Sequence, residues 1–207
     1  MKNSKIFDKL YFNIERHLLE DSQPSFYLEQ ICNDSSFDKY PFDMLYKLKI
    51  TEQSPKYHPE GNVWNHTMLV VDEAANVKIK SRDQRVFMWA ALLHDIGKSS
   101  TTRNRKGKIT SYDHDKVGAR LVNEFLSCFT DDIIFIDKVS WLVRYHMNIL
   151  FVTKNLPFAD IDGMKQHTDV MEVALLGFCD RMGRLNSSRQ EEWKNIMQFL
   201  KNIARGE

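Results

Sequence analysis

Six polar side chains stand where a helical core requires apolar ones. His66 lies four residues before Val70 and eight before Ala74, and His114 lies three and seven before Val117 and Leu121. His146 follows Val139 by seven and Val143 by three, while Asp180 follows Val173 by seven and Leu176 by four. His94 closes the apolar run WAALL, and Asp95 comes directly after it. At the helical period these spacings aim the side chains inward. A single inward imidazole is ordinarily a hydrogen-bonded core residue. An inward carboxylate is harder to accommodate, because its desolvation costs several kcal/mol unless a positive partner neutralises it. Four histidines and two aspartates on five helical segments point to a bound divalent cation, whose natural ligands are imidazole nitrogen and carboxylate oxygen.

Cations lie close to these residues in sequence. Lys98 falls one turn after His94, where its ammonium would reach an anion such as a phosphate, or else cap a helix end in solvent. Arg103, Arg105, Lys106 and Lys108 put four positive charges into six residues of the polar stretch SSTTRNRKGKITSYD. That stretch is either an exposed soluble loop or a clamp for phosphate or an RNA end. Arg144 and Arg181 each neighbour an inward residue and would touch substrate or pair with acids; Arg181 and Arg184 lean towards substrate.

Other patterns carry less. Gly97-Lys98-Ser99 resembles the tail of a phosphate-binding loop, but Leu92 stands where that loop needs glycine. Asp160-Ile161-Asp162 imitates a polymerase metal pair without the preceding strand. No G-x-S-x-G elbow occurs. Cys128 and Cys179 read as buried core thiols, and His17, His58 and His167 as surface or loop residues.

The elements that must position the six are helices. Stripes recur at Ile6, Leu10, Ile14 and Leu18; at Leu69, Val70, Ala74 and Val77 within 63–80; and at Val86, Ala90 and Leu93 within 83–96, with Gly97 as a helix-ending glycine. Further stripes are Val117, Leu121, Phe125 and Cys128; Ile136, Val139 and Val143; and Val173, Leu176 and Cys179. A last helix opens on the capping pair Ser188 and Glu191 and buries Trp193, Ile196, Leu200 and Ile203. No sustained alternation of period two appears. The expectation is an all-α bundle of about seven to eight helices: an N-terminal helical extension over 1–50 packed on the core, a core over 51–186, and a C-terminal helix over 187–207.

Composition narrows the classes. The 207 residues carry 29 Lys+Arg against 28 Asp+Glu, a net charge of +1, so no overall field attracts nucleic acid or anionic membrane. Being 43% hydrophobic and 28% charged excludes general disorder. Three dispersed cysteines form no CxxC pair, which suits a reducing compartment and offers no thiolate zinc site. No apolar stretch is long enough to span a membrane or to read as a secretory signal. A cytoplasmic protein is expected.

The order His66 … His94-Asp95 … Asp180 resembles the H…HD…D signature of the HD-domain metal-dependent phosphohydrolases. HPEGNVWNHT (58–67), ALLHDIGK (91–98), YDHDKVGA around His114, VRYHM (143–147) and CDRMGR (179–184) are similar to the HD domain attached to bacterial tRNA nucleotidyltransferases, and less closely to HD modules of polynucleotide kinase-phosphatases. The resemblance covers roughly 50–185. It implies an all-α fold and a primary ion on His66, His94, Asp95 and Asp180, with Asp95 bridging to a second ion completed by His114 and His146. Two-metal members often have adjacent histidines where this chain has Tyr145-His146, so the second site has one ligand fewer. Mn, Fe, Co, Ni, Mg or Zn would suit the mixed donors.

The implied reaction is phosphoester hydrolysis with Asp95 and Lys98 as the reacting groups. The implied substrate is a nucleotide or an RNA or DNA end: a 2′,3′-cyclic phosphodiester, a 2′-nucleotide or a terminal phosphate. Two other readings share the ligand set. One is a di-iron HD-type oxygenase; the other is a non-catalytic nucleotide- or RNA-binding module. No membrane partner is expected. The amphipathic N-terminal and C-terminal helices serve either packing or self-association as a homo-oligomer.

Overall fold

The computed structural model describes residues 2–205, so the outermost residues of segments 1–50 and 187–207 lie outside the description. The fold is all-α. Besides two 3-10 turns (Lys47–Ile50 and Lys78–Lys80), twelve α-helical segments run in order: α1 (Lys2–Glu20), α2 (Ser25–Ile31), α3 (Asp43–Tyr46), α4 (Val63–Val77), α5 (Gln84–Leu93), α6 (Lys98–Thr101), α7 (His114–Leu126), α8 (Ile133–Tyr145), α9 (Asn148–Thr153), α10 (Ile161–His167), α11 (Val170–Met182) and α12 (Arg189–Arg205). The seven that reach ten residues or more are those with a readable apolar stripe. The other five are turns of four to seven residues, too short to show a period. No described helix is long and apolar enough to cross a membrane.

The helix starts follow side-chain chemistry. Asn62, Asp83, Asp132, Asp160 and Asp169 each cap the helix that follows by accepting from a first-turn amide. This explains Asp160 without any metal role. Ser188 Oγ accepts from Glu191 N at 3.4 Å, the cap expected from the sequence.

Helices α4, α5, α8 and α11 pack on one another around the centre, with α7 laid along α8. Phe87, Met88, Trp89, Ala90, Ala91, Leu92 and Leu93 are all buried, so α5 is apolar all round and runs through the middle of the molecule. The N-terminal residues share this core. Tyr11 stacks between Trp89 and Phe129, with ring centroids 4.8 and 4.7 Å away. Glu15 Oε2 accepts from Arg85 Nε at 2.8 Å and Trp89 Nε1 at 2.9 Å, tying α1 to α5. Lys78 Nζ donates to the carbonyls of Leu18, Leu19 and Asp21, which the end of α1 leaves without helical partners.

Four local expectations are corrected. The basic stretch is a hairpin rather than a loop: β1 (Arg103–Arg105) pairs antiparallel with β2 (Lys108–Thr110). Its two-residue turn has φ of 52° at Lys106 and 82° at Gly107, the left-handed pair that such a turn needs. Three residues per strand are too few to show alternation. Gly97 does not end a helix in the left-handed region; α5 stops at Leu93 and Gly97 has φ −67°. A Cβ there would lie 2.1 Å from the His114 carbonyl oxygen, so glycine allows the turn after α5 to press against the start of α7. Trp193 is 54% exposed, and α12 buries Ile196, Phe199 and Ile203 instead, because those three face α9 and α11. Cys128 is exposed just beyond α7, whereas Cys179 is buried as expected.

Candidate metal centre

His66 sits in the first turns of α4, His94 and Asp95 in the turn after α5, His114 at the start of α7, His146 just past α8, and Asp180 near the end of α11. All six are buried. The turn at Gly97 sets the distance between the second and third of these segments.

The imidazoles share one design. Each Nδ1–H donates outward, away from the centre: His66 to Glu60 Oε1 (2.9 Å), His94 to the Ala91 carbonyl (2.9 Å), His114 to the Ser111 carbonyl (2.7 Å) and His146 to the Val143 carbonyl (2.6 Å). Three of the acceptors are carbonyls three residues upstream, set by backbone geometry alone. Such bonds fix the tautomer and leave Nε2 facing inward, as in metal-ligating histidines.

The Nε2 atoms converge on two carboxylates. His94 Nε2 lies 3.3 Å and His66 Nε2 3.9 Å from Asp95 Oδ2; His114 Nε2 lies 3.4 Å and His146 Nε2 3.8 Å from Asp95 Oδ1. His66 Nε2 is also 3.0 Å from Asp180 Oδ1. Ligand atoms about 2.1 Å from one ion lie roughly 3.0–3.4 Å apart, close to the shorter of these separations. His66, His94 and Asp95 form one triad able to hold a cation, and Asp95, His114 and His146 another.

Two further observations fit a cation. His94 Nε2 is buried without a hydrogen-bond partner. His114 and His146 bring their Nε2 atoms to 3.3 Å. Because both Nδ1 sites carry the proton, these are two facing lone pairs, an arrangement that needs positive charge beside it.

The surrounding charges set the protonation. Burial would raise the Asp95 pKa, but the Lys98 ammonium 2.7 Å away, then His94 and His114, hold it well below the usual carboxylate range. Burial opposes Arg184 and the His66 bond at Asp180, which is likewise held low. Burial would lower His66, yet its bonds to Asp180 and Glu60 raise it. Burial dominates at His114, which falls, and at His146, which falls to about 4.

A cavity of about 370 Å³ opens beside the cluster, lined by Gln53, His58, Lys98, Ile109, His146 and Arg184 among others. Lys98 is buried, ion-paired with Asp95 and donating to Gln53 Oε1 (2.7 Å), so it is not a solvated helix-end lysine. Arg184 has one nitrogen 3.4 Å from Asp180 Oδ1, and its Nε is buried with no partner. Ile109 and Ser111, from the hairpin and its exit, form one wall.

Four residues expected to touch substrate lie outside this cavity lining. Arg181 pairs with Glu192 of α12, where its charge is already satisfied. Arg144 pairs with Asp115 at 2.5 Å. Arg103 donates to the carbonyls of Ser100 and Thr102, and with Arg105 it lies exposed on β1, outside the cavity lining. Tyr145 turns away from the centre and donates to Asp160 Oδ2 at 3.2 Å.

The sequence reading missed a second tier. His58, expected at the surface or on a loop, lies on a loop, but its side chain is only 12% exposed and donates from Nδ1 to Glu60 Oε1 at 2.8 Å. That oxygen also holds His66. Burial, then Lys98, lowers the His58 pKa to about 4. Burial would raise Glu60, but the hydrogen bond from His66 leads the group that brings it to about 2. The only available signal was the neighbourhood of HPEG to His66, since a loop has no period to read.

The family model for the HD domain matches residues 63–182. Among curated proteins, the chain is 35% identical over 156 residues to a Multifunctional CCA protein of Actinobacillus pleuropneumoniae serotype 5b (strain L20), covering 72% of this chain and 37% of that protein. It is 27% identical over 139 residues to the protein of the same name from Thioalkalivibrio sulfidiphilus (strain HL-EbGR7), covering 67% and 32%. For Methylococcus capsulatus (strain ATCC 33009 / NCIMB 11132 / Bath) the figures are 24% over 208 residues, 96% and 46%. The chain thus spans less than half the length of these relatives.

Proposed function

The chain belongs to the HD-domain family, and we propose that it is a divalent-metal-dependent phosphohydrolase acting on nucleotide or nucleic-acid phosphoesters. The observation that carries this reading is the set of four outward Nδ1 bonds, which leaves four Nε2 atoms directed at Asp95 and Asp180 beside Lys98 and a cavity. His66, His94, Asp95 and Asp180 would hold one ion, and Asp95, His114 and His146 a second. When bound, a divalent ion supplies Lewis acidity and lowers the pKa of water towards neutrality.

The protein's own groups do the rest. Lys98 and Arg184 bring fixed positive charge to the cavity wall and would neutralise phosphoryl oxygens. Asp95, ionised at neutral pH, orients the attacking group towards phosphorus. Gln53 holds the Lys98 ammonium in place through its Oε1. Met147, Leu150 and Ile109 line the cavity and reduce bulk water around the charges.

Lys98 favours phosphate over a di-iron oxygenase reading, because an ammonium 2.7 Å from the shared carboxylate serves an anionic substrate. The hairpin favours a nucleic-acid end. Arg105, Lys106 and Lys108 have no carboxylate partner among the described residues, whereas Arg82, Arg85, Arg144, Arg181, Arg184 and Arg189 each have one.

The test is metal analysis of the purified protein, then turnover of 2′,3′-cyclic nucleotides, 2′-nucleotides and 3′-phosphorylated oligonucleotides with each candidate ion. Metal-dependent phosphate release or ring opening, lost in Asp95→Ala, is expected. Failure of the metal-loaded protein on the whole panel would overturn the reading.

A further inference from the structure

His58 is the one histidine near the centre whose Nε2 is not directed at Asp95 or Asp180. Its ring packs edge-on against the His66 ring, with centroids 4.8 Å apart, and lines the same cavity as Asp95, Lys98 and Arg184. Its Nδ1–H is committed to Glu60 Oε1 at 2.8 Å. What the ring offers the cavity is therefore Nε2, and in this tautomer Nε2 is a hydrogen-bond acceptor. Lys98 and Arg184 border the same space.

An acceptor at this position cannot serve the phosphoryl group. Phosphate oxygens in a site lined by cations are acceptors too, and two lone pairs facing each other repel. The base lies too far along the substrate, because His58 sits directly against a ligand of the centre. On a ribose phosphoester, the donor nearest the phosphate is the hydroxyl on the adjacent carbon.

We propose that His58 is a specificity-determining residue whose Nε2 accepts a hydrogen bond from the hydroxyl vicinal to the phosphate of a ribonucleoside phosphomonoester. This rests on the phosphohydrolase reading and deepens it by naming ribose over deoxyribose as the substrate class. Glu60 is the positioning residue: one oxygen fixes the tautomers of both His58 and His66. A site that has built in an acceptor for a substrate hydroxyl discriminates against the analogue lacking it, since the bound analogue covers the acceptor and leaves it unpaired.

The experiment compares a nucleoside 2′-phosphate with its 3′-deoxy counterpart, and a nucleoside 3′-phosphate with its 2′-deoxy counterpart, on the metal-loaded protein and on His58→Ala. The expected wild-type preference for the hydroxyl-bearing partner is at least tenfold in kcat/KM, on whichever monoester is turned over. In His58→Ala the ribonucleotide should lose at least tenfold and the deoxy partner less than threefold. Metal content should be unchanged there but reduced in Glu60→Gln, which reaches the centre through His66.

Equal losses on both partners, or no wild-type preference, would overturn the proposal. Absence of turnover on all four substrates would instead count against the phosphohydrolase reading, and a second readout then applies. The imidazole ¹⁵N shifts of His58 in the metal-free protein should show a protonated Nδ1 and an unprotonated Nε2 at pH 7. The Nε2 resonance should move on adding the ribonucleotide and not the deoxy analogue. A protonated Nε2, or equal shifts with both ligands, would overturn the proposal by itself.

Discussion

On one side of Asp95 lie His66, His94 and Asp180; on the other lie His114 and His146. The first half brings a second carboxylate to within 3.0 Å of an imidazole, and that imidazole's pKa is raised. The second half brings two imidazoles to 3.3 Å of each other with only Asp95 for an acid, and both of their pKa values are lowered. The same residue types thus meet a cation with different preparation. The acid-rich half carries more negative charge and raises the proton affinity of its imidazole, whereas burial lowers the proton affinity of both imidazoles in the other half. Charge favours the first half for affinity, and proton competition favours the second in acid.

The largest effect is expected where the halves meet. Asp95 gives Oδ2 to one and Oδ1 to the other, so Asp95→Ala should empty both. Turnover should fall at least about a thousandfold, the scale of losing a fixed charge at the reacting centre, and metal analysis should show both ions lost. Retention of one full equivalent would show that the halves are independent.

Changes on one side alone should separate the halves. Asp180→Asn is expected to weaken the tighter ion by about a hundredfold or more, while His146→Ala acts on the weaker ion and leaves the tighter one nearly intact. Acid should sharpen the contrast. Below the raised His66 pKa a cation must displace a proton, so affinity at that half falls about tenfold per pH unit. His146, with its pKa near 4, imposes no such cost above about pH 5. Calorimetric titration from pH 8 to pH 5 should show the first ion losing affinity more steeply than the second; equal slopes would erase the distinction.

Stability of the metal-free protein should carry the same sign difference. His58 and His146, depressed to about 4, bind fewer protons folded than unfolded, so their contribution is present above their unfolded pKa and is lost as pH falls towards 4. His66, raised, contributes below its unfolded pKa and loses that contribution as pH rises through its folded value. Urea unfolding across pH 4–8 would register both trends.

Why the sequence showed the six inward residues and not their support follows from where each lies. His66, His114, His146 and Asp180 continue helical stripes, and periodicity assigns a face without knowledge of the partner. His94 and Asp95 directly follow the buried run 86–93 of α5. His58 and Glu60 lie on a loop whose path is set by long-range contacts, such as Val63 N to the Thr51 carbonyl at 3.0 Å and Leu185 N to Glu60 Oε2 at 3.4 Å. No local pattern encodes those contacts. Arg181, for which the sequence left both substrate and a nearby acid open, pairs with Glu192 for a related reason: its position beside Asp180 is visible in the sequence, but the acid arrives on the next helix. In helices, adjacent residues point in different directions.

Gly97 supports only one side of the comparison. A Cβ there would meet the His114 carbonyl at 2.1 Å and the Gly118 nitrogen at 2.7 Å, neither of which can rotate away. Gly97→Ala is expected to push the start of α7 outward and destabilise the protein by about 1–3 kcal/mol. It should weaken the His114–His146 half more than the His66–Asp180 half. Metal titration of the folded variant checks this; equal weakening would mean the turn positions Asp95 rather than α7.

The smallest effect should come from Arg181. It is adjacent to Asp180 in sequence yet tied to Glu192, so its charge belongs to the packing of α12 on α11. Arg181→Ala should cost about 1 kcal/mol at this partly exposed pair, read as a lowered Tm. Arg184→Ala, four residues from Asp180 and lining the cavity with an uncommitted Nε, should instead raise KM for the phosphoester with a smaller loss of stability. If Arg181→Ala raised KM as strongly as Arg184→Ala, the guanidinium would have to leave Glu192 when substrate binds, and the assignment of positive charge around the cavity would be redrawn to include it.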